Sequence, residues 1–213
     1  MKRIILVVFI ASTVTAVFSQ VDEQEQIKTK RGDDMMTLLG SSNAIGGYGG
    51  LSMLYTQIDN KDAFVFGARG GAIMGHSFAI GFGGAGFVTD LFFDDEISLD
   101  ANLAGGYGGI FFEPIILPRF PVHVSIPVLI GAGGIAYNSV DRRWEESWFV
   151  EDSEAFFVVE PGAEIELNIT RFFRFAFGAY YRYTSRIELM NDPRYDDVLN
   201  GFSFGVNLKF GKF

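Results

Sequence analysis

The chain has 213 residues, a formal charge of −9, no cysteine, 26 glycines and 23 phenylalanines. An acid excess of this size leaves no basic surface of the kind phosphate binding demands, so nucleic acid is not an expected partner. The lack of cysteine removes disulfides, thiolate metal sites and a lipid-attachment cysteine. A composition that is 48% hydrophobic and 15% aromatic, yet acidic, reads as one domain that turns part of its surface to lipid.

Met1-Lys2-Arg3, the apolar run 4–17 and the small-residue site Val17-Phe18-Ser19 predict a secretory signal peptide over residues 1–19, cleaved before Gln20. The run is shorter than the ~20 apolar residues of a spanning helix. Residues 20–42 are polar and charged with no apolar period, and are expected to form a flexible periplasmic N-terminal segment. Between 43 and 213 come eight apolar, glycine-bearing runs, each of a length suited to a tilted membrane strand: 43–57, 62–74, 78–89, 99–112, 122–137, 155–167, 172–184 and 201–213. The connections at 90–96, 138–154 and 185–200 are long, whereas Asp59-Asn60-Lys61, Gly75-His76 and 168–171 are short.

This pattern predicts an all-β fold, an eight-stranded antiparallel up-and-down transmembrane β-barrel with short turns toward the periplasm and long loops outside. Closure follows from the solvent. In hydrocarbon every unpaired backbone group costs several kcal/mol, so such a sheet cannot keep an open edge. Pro114, Pro118 and Pro121 are expected to take the backbone out of the sheet as a small periplasmic cap, and Pro127 and Pro161 to sit in bulges. The glycine clusters 46–50, 81–86, 105–109 and 131–134 fall where a small barrel must bend.

Gly81, Gly83 and Gly86 satisfy G-x-G-x-x-G, but Phe78, Ile80 and Phe82 alternate as a strand and no helical period follows. Curvature accounts for them, and no cofactor is expected. In the last run Phe202, Phe204, Val206, Leu208 and Phe210 alternate with Ser203, Gly205, Asn207 and Lys209, which assigns the first set to lipid and the second to the lumen. Residues 211–213 read as a short tail beyond that strand. The same alternation points Glu160, Glu164 and Glu166 inward from the sixth run and Arg174, Tyr180 and Arg182 inward from the seventh, with Arg69 joining them. These charges are either a salt-bridge network that plugs the lumen or an ion pathway. The narrow interior of an eight-stranded barrel favours the plug.

The loop acids Asp94, Asp95, Glu96, Glu145, Glu146, Glu151, Asp152, Asp192, Asp196 and Asp197 have no EF-hand spacing, so no metal site is assigned to them. They read as solvated surface or as carboxylates for cations bridging to lipopolysaccharide. Trp144, Trp148, Phe149 and Tyr195 interrupt them as interface anchors or contacts for an external partner.

Ser203, Gly205, Leu208 and Phe210 resemble the barrel-assembly signal of outer-membrane proteins, which implies the barrel-assembly machinery as a partner during biogenesis. His123 and Ser125 resemble the His-x-Ser pair of outer-membrane lipid A deacylases, which implies His123 as base and Ser125 as nucleophile. Ile126 and Pro127 stand where that family has asparagine, and the pair begins a strand at the periplasmic end, away from the outer leaflet. The segment Val159-Glu-Pro-Gly-Ala-Glu-Ile-Glu-Leu-Asn168 with Tyr181-Arg-Tyr183 is similar to recurring strands of small outer-membrane β-barrels. The whole mature chain resembles the small eight-stranded OmpA/OmpX-like barrels of Gram-negative bacteria, including their uncharacterised members. The resemblance implies residence in the outer membrane, among its lipid and lipopolysaccharide, and names no activity. Three readings stand: a non-enzymatic barrel whose loops at 138–154 and 185–200 serve envelope organisation or surface contact, a lipid-modifying enzyme, and a narrow channel.

Overall fold

The computed structural model describes residues 45–94, 99–141, 147–190 and 196–213. The expected signal and N-terminal segment, and loop residues Asp95, Glu96, Trp144, Glu145, Glu146, Asp192 and Tyr195, lie outside them. The described chain forms β1 (Ile45–Ile58), β2 (Lys61–Met74), β3 (Phe78–Thr89), β4 (Phe92–Asp94), β5 (Leu99–Ile116), β6 (Val122–Ser125), β7 (Val128–Asp141), β8 (Ser147–Asn168), β9 (Phe173–Thr184) and β10 (Gly201–Lys212). β6 and β7 act as one strand in line, and β4 extends the β3–β5 hairpin by three residues. Every pairing is antiparallel and sequential, and β1 pairs β10 from Gly47↔Lys212 to Thr56↔Ser203, so eight strands close on themselves.

Two tight turns have the backbone that a twisted hairpin requires. Asp59 and Asn60 both take positive φ (51° and 57°), as do Gly75 and His76 (57° and 61°), the left-handed pair that matches strand twist. The turns at 75–77, 117–121 and 169–172, the start of β1 and the end of β10 share one end of the barrel, the turn end. The two-residue turn at 59–60, and the strand ends at Thr89, Leu99, Asp141, Ser147, Thr184 and Gly201, share the other, the loop end, so a tight turn as well as longer connections leaves from that side.

Three expectations change. Residues 138–154 are mostly not loop, because β7 runs to Asp141 and β8 starts at Ser147, carrying one hairpin beyond the lipid-facing girdle. Residues 211 and 212 are not a tail but continue the ladder as Tyr48↔Gly211 and Gly47↔Lys212. The prolines behave differently too. Pro114 stays inside β5, opposite Phe78, so only Pro118 and Pro121 lie in the turn. The register is the same on both sides of Pro127, with Ser125↔Glu164 and Val128↔Pro161, and on both sides of Pro161, with Val159↔Tyr183 and Gly162↔Tyr180. No bulge forms at either proline; the ladders lapse for two residues and resume in step. Each lapse forfeits a donor worth about 1 kcal/mol, less disruption than inserting a residue and re-facing a strand. The register shift recorded among the described residues lies at Tyr137/Asn138.

The outer surface is apolar. Leu51, Phe64, Phe66, Phe82, Ile130, Phe157, Ile165, Phe177, Phe202 and Phe204 are all at least 47% exposed, and rings stack on it, as Phe173 on Phe210 with centroids 4.9 Å apart. Continuous apolar surface on this scale is incompatible with water as its solvent.

Closure is testable. Leu51→Cys with Leu208→Cys, Cα partners across β1–β10, should crosslink under oxidation in the folded protein, while Leu51→Cys with Phe204→Cys should not. The reverse, read on non-reducing gels, would place the seam elsewhere.

Candidate functional site: the barrel interior

The strand period turns alternate residues of β8, β9 and β10 into the barrel, and β5 adds Glu113. Glu113, Glu160, Glu164, Glu166, Arg174, Arg182 and Lys209 are at most 8% exposed, and the Arg69 side chain is 14% exposed. Four carboxylates thus face four cations, His123 aside.

Lys209 is the hub. Its ammonium contacts Glu113 and Glu166 and lies 2.7 Å from Glu164 Oε2. Those carboxylates each bring an oxygen within 4.8 Å of the others, a spacing that could hold a divalent cation, and the lysine supplies positive charge there. Around it, Arg69 pairs with Glu164 and Arg174 Nη1 lies 3.2 Å from Glu166. The Tyr48 hydroxyl donates to Glu113 and the Tyr180 hydroxyl to Glu164. Asn207 Nδ2 donates to Tyr180 Oη at 2.6 Å. Tyr180 needs bare backbone to reach Glu164: a Cβ on Gly162 or Gly178 would sit inside its ring.

Toward the loop end the Tyr107 hydroxyl donates to Glu160 at 2.5 Å. A cavity of about 50 Å³ beside Arg69, Glu160, Tyr180 and Asn207 is room for ordered water and little else.

All the residues assigned inward from β2, β8 and β9 share this interior, but not as one ion-pair network. Arg182 makes no direct ion pair among the described residues; its Nε donates to Leu199 O at 2.8 Å, and its guanidinium lies 5.5 Å from the Phe87 ring and 5.6 Å from that of Tyr107. Glu113, Tyr48, Tyr107, Asn207 and Lys209 belong to the interior and were not part of the expected network. For Lys209 and Asn207 the alternation of the last run was the available signal. Glu113 was hidden by Pro114, which read as the end of its strand. Of the assembly residues, Ser203 is buried inward, Gly205 packs against the Leu54 backbone, and Phe210 faces out.

His123 and Ser125 are 3% and 0% exposed and both engage Glu166, His123 Nε2 at 2.9 Å and Ser125 Oγ at 2.6 Å. The serine donates to the carboxylate instead of to the imidazole, so His123 does not stand over the hydroxyl as its base. A nucleophile also needs an accessible substrate position, and burial removes it.

The loop-end half of the lumen is packed mainly with apolar side chains. Leu54, Val65, Phe87, Leu103, Ile135, Tyr137, Phe156 and Val158 pack together, and Ile187, Leu189, Val198 and Leu199 of the β9–β10 connection fold down onto them, each at most 8% exposed. Arg186 and Asp196 clasp that connection on its outer side at 2.6 Å, and the Asp196 carboxylate raises the Arg186 pKa above its ordinary value.

No family model and no curated protein matches the chain. Among solved structures it is similar to neisserial surface protein A, with a TM-score of 0.51 at 9% identity over 79% of this chain and 97% of that one. The chain has the fold of a small eight-stranded outer-membrane β-barrel. Ail, the attachment invasion locus protein of Yersinia pestis (TM-score 0.47, 13% identity, 78% of this chain and 97% of that one), and the N-terminal barrel of Pseudomonas aeruginosa OprF (0.41, 10%, 77% and 96%) also match. With its apolar girdle, this barrel is an integral protein of the bacterial outer membrane.

Removing Lys209 leaves three buried carboxylates without their shared cation. Lys209→Met should cost about 3 to 5 kcal/mol, more than Arg174→Ala, read as the shift of the urea midpoint for unfolding from lipid vesicles. Gly178→Ala should displace Tyr180 and cost roughly 1 to 3 kcal/mol in the same assay.

Proposed function

We propose that this barrel neither conducts nor catalyses and acts through its loop end as a surface element of the outer membrane. The observation that carries the reading is the double seal: a charge-balanced middle around Lys209 under an apolar cap of Ile187, Leu189, Val198 and Leu199. A pore needs a wet, continuous lumen, and a hydrolase needs an open nucleophile. Neither arrangement matches an interior filled in this way.

What remains available for function is the outer face of the loop end. Asp62, Asp90, Glu154, Glu188 and Asp197 are exposed there, with Arg186 as an exposed base. Such a face suits a partner with a basic surface, or divalent cations bridging to lipopolysaccharide, and either contact is weakened by salt. Ser203, Gly205, Leu208 and Phe210 would serve assembly of the barrel and play no part in this contact.

Purified protein in planar bilayers should give no unitary current steps, and cells carrying His123→Ala or Ser125→Ala should keep the envelope lipid profile of wild type. Reproducible steps, or a lipid species lost in both variants, would replace this reading with the channel or the enzyme.

A further inference from the structure

Among the described residues, the turn end carries the opposite charge from the loop end. Its described turn residues, 75–77, 117–121 and 169–172, contain no aspartate or glutamate. Arg119, Arg171 and Lys212 are exposed there and form no ion pair with a described residue. These cations converge on an open basin of about 750 Å³, lined also by Asn168, Thr170 and Arg174. Arg174 is 4% exposed; its Nη1 contacts Glu166, and its Nε is a buried donor without a partner among the described residues. Its guanidinium carbon lies 3.9 Å from the centre of the Phe213 ring, which also lines the basin.

The two turns that supply the arginines share a pattern. Leu117-Pro-Arg119-Phe120 and Ile169-Thr-Arg171-Phe172 each set an arginine between outward apolar residues, and Leu117, Phe120, Ile169 and Phe172 are 60%, 58%, 56% and 63% exposed. A site for a soluble anion has no use for exposed leucine, isoleucine and phenylalanine flanking its arginines. A lipid interface requires both, apolar groups at the acyl boundary and guanidinium groups at the level of the phosphates.

We propose that the turn-end basin binds the phosphate of an anionic phospholipid headgroup, with Arg119 and Arg171 as the paired clamps, Lys212 as a further cation, and the four apolar turn residues packing against the start of the lipid's acyl chains. Arginine suits the task because its planar fork meets phosphate oxygens in pairs. The site is distinct from the loop-end surface and stands whether or not that surface has an external partner.

The test is lipid retention by the full, folded protein, released from mixed vesicles of phosphatidylglycerol and phosphatidylcholine and examined by native mass spectrometry. Wild type should retain phosphatidylglycerol over phosphatidylcholine, and Arg119→Gln with Arg171→Gln should cut that preference roughly 30-fold. Arg119→Lys with Arg171→Lys should recover part of it. Folding of each variant is read by heat-modifiable gel migration, which these exposed substitutions should leave unchanged. Equal retention of both lipids by wild type, or an unchanged preference in the folded double glutamine variant, overturns the proposal. Displacement of the bound lipid by millimolar inorganic phosphate at constant ionic strength would also overturn it, assigning the basin to a soluble anion.

Discussion

Backbone hydrogen bonds that have no water to fall back on govern this molecule. A sheet with one face in hydrocarbon must leave no edge unpaired, and β1 meets β10 over ten successive residue pairs to satisfy that demand. Closing on eight strands then sets a bore only as wide as the side chains pointing into it. Whatever is placed inside is buried as completely as in the core of a soluble domain, and an unpaired charge there is heavily penalised. The crowded contacts of Glu113, Glu164, Glu166 and Lys209 follow from the narrowness of the ring. A lysine tethered on β10 keeps three carboxylates together without depending on a metal supply, and it ties β5, β8 and β10 across the lumen.

The two halves of the bore solve the same problem by different means. Near the turn end, burial is made tolerable by pairing opposite charges. Near the loop end it is avoided, because apolar side chains from the strands meet Ile187 and Leu189 coming down from the β9–β10 connection. Arg182 marks the boundary, bonded to a carbonyl of the descending segment and facing aromatic rings. The outcome is a stopper with a hydrocarbon-like upper part and a salt-like lower part.

Strict period-two sequence was legible where both faces obeyed it. Phe173, Phe175 and Phe177 against Arg174, and Phe202 and Phe204 against Ser203, announce which side meets lipid, and the ends of β3 were readable to the residue. Legibility failed where a local rule overrode the period. Pro114 and Pro127 read as interruptions, yet the neighbouring strands hold register across them, so the wall tolerates a missing donor that an isolated hairpin would not. The connection at 185–200 reads as solvent-facing because of its charges; Ile187, Leu189 and Leu199 are too widely spaced to form a run, and only the finished bore gives them somewhere to go. Likewise the convergence on Lys209 joins β5, β8 and β10, a relation that local spacing does not encode.

Glu113-Pro114 and Glu160-Pro161 repeat the same dipeptide on β5 and β8, with Ile126-Pro127 between them. Pairs are absent where 113–114 would oppose 126–127, although the Ile126 amide still reaches the Pro114 carbonyl, where 126–127 would oppose 162–163, although the Gly162 amide still reaches the Pro127 carbonyl, and where 160–161 would oppose 181–182. The lapses fall at neighbouring positions on consecutive strands and form a diagonal line of thinned pairing across three of the eight strand seams. A cylinder built this way does not have uniform hoop stiffness. Each proline removes one amide donor from its seam, so the wall is laced with fewer backbone hydrogen bonds along that diagonal than where consecutive pairs run unbroken, as from Gly47↔Lys212 to Thr56↔Ser203.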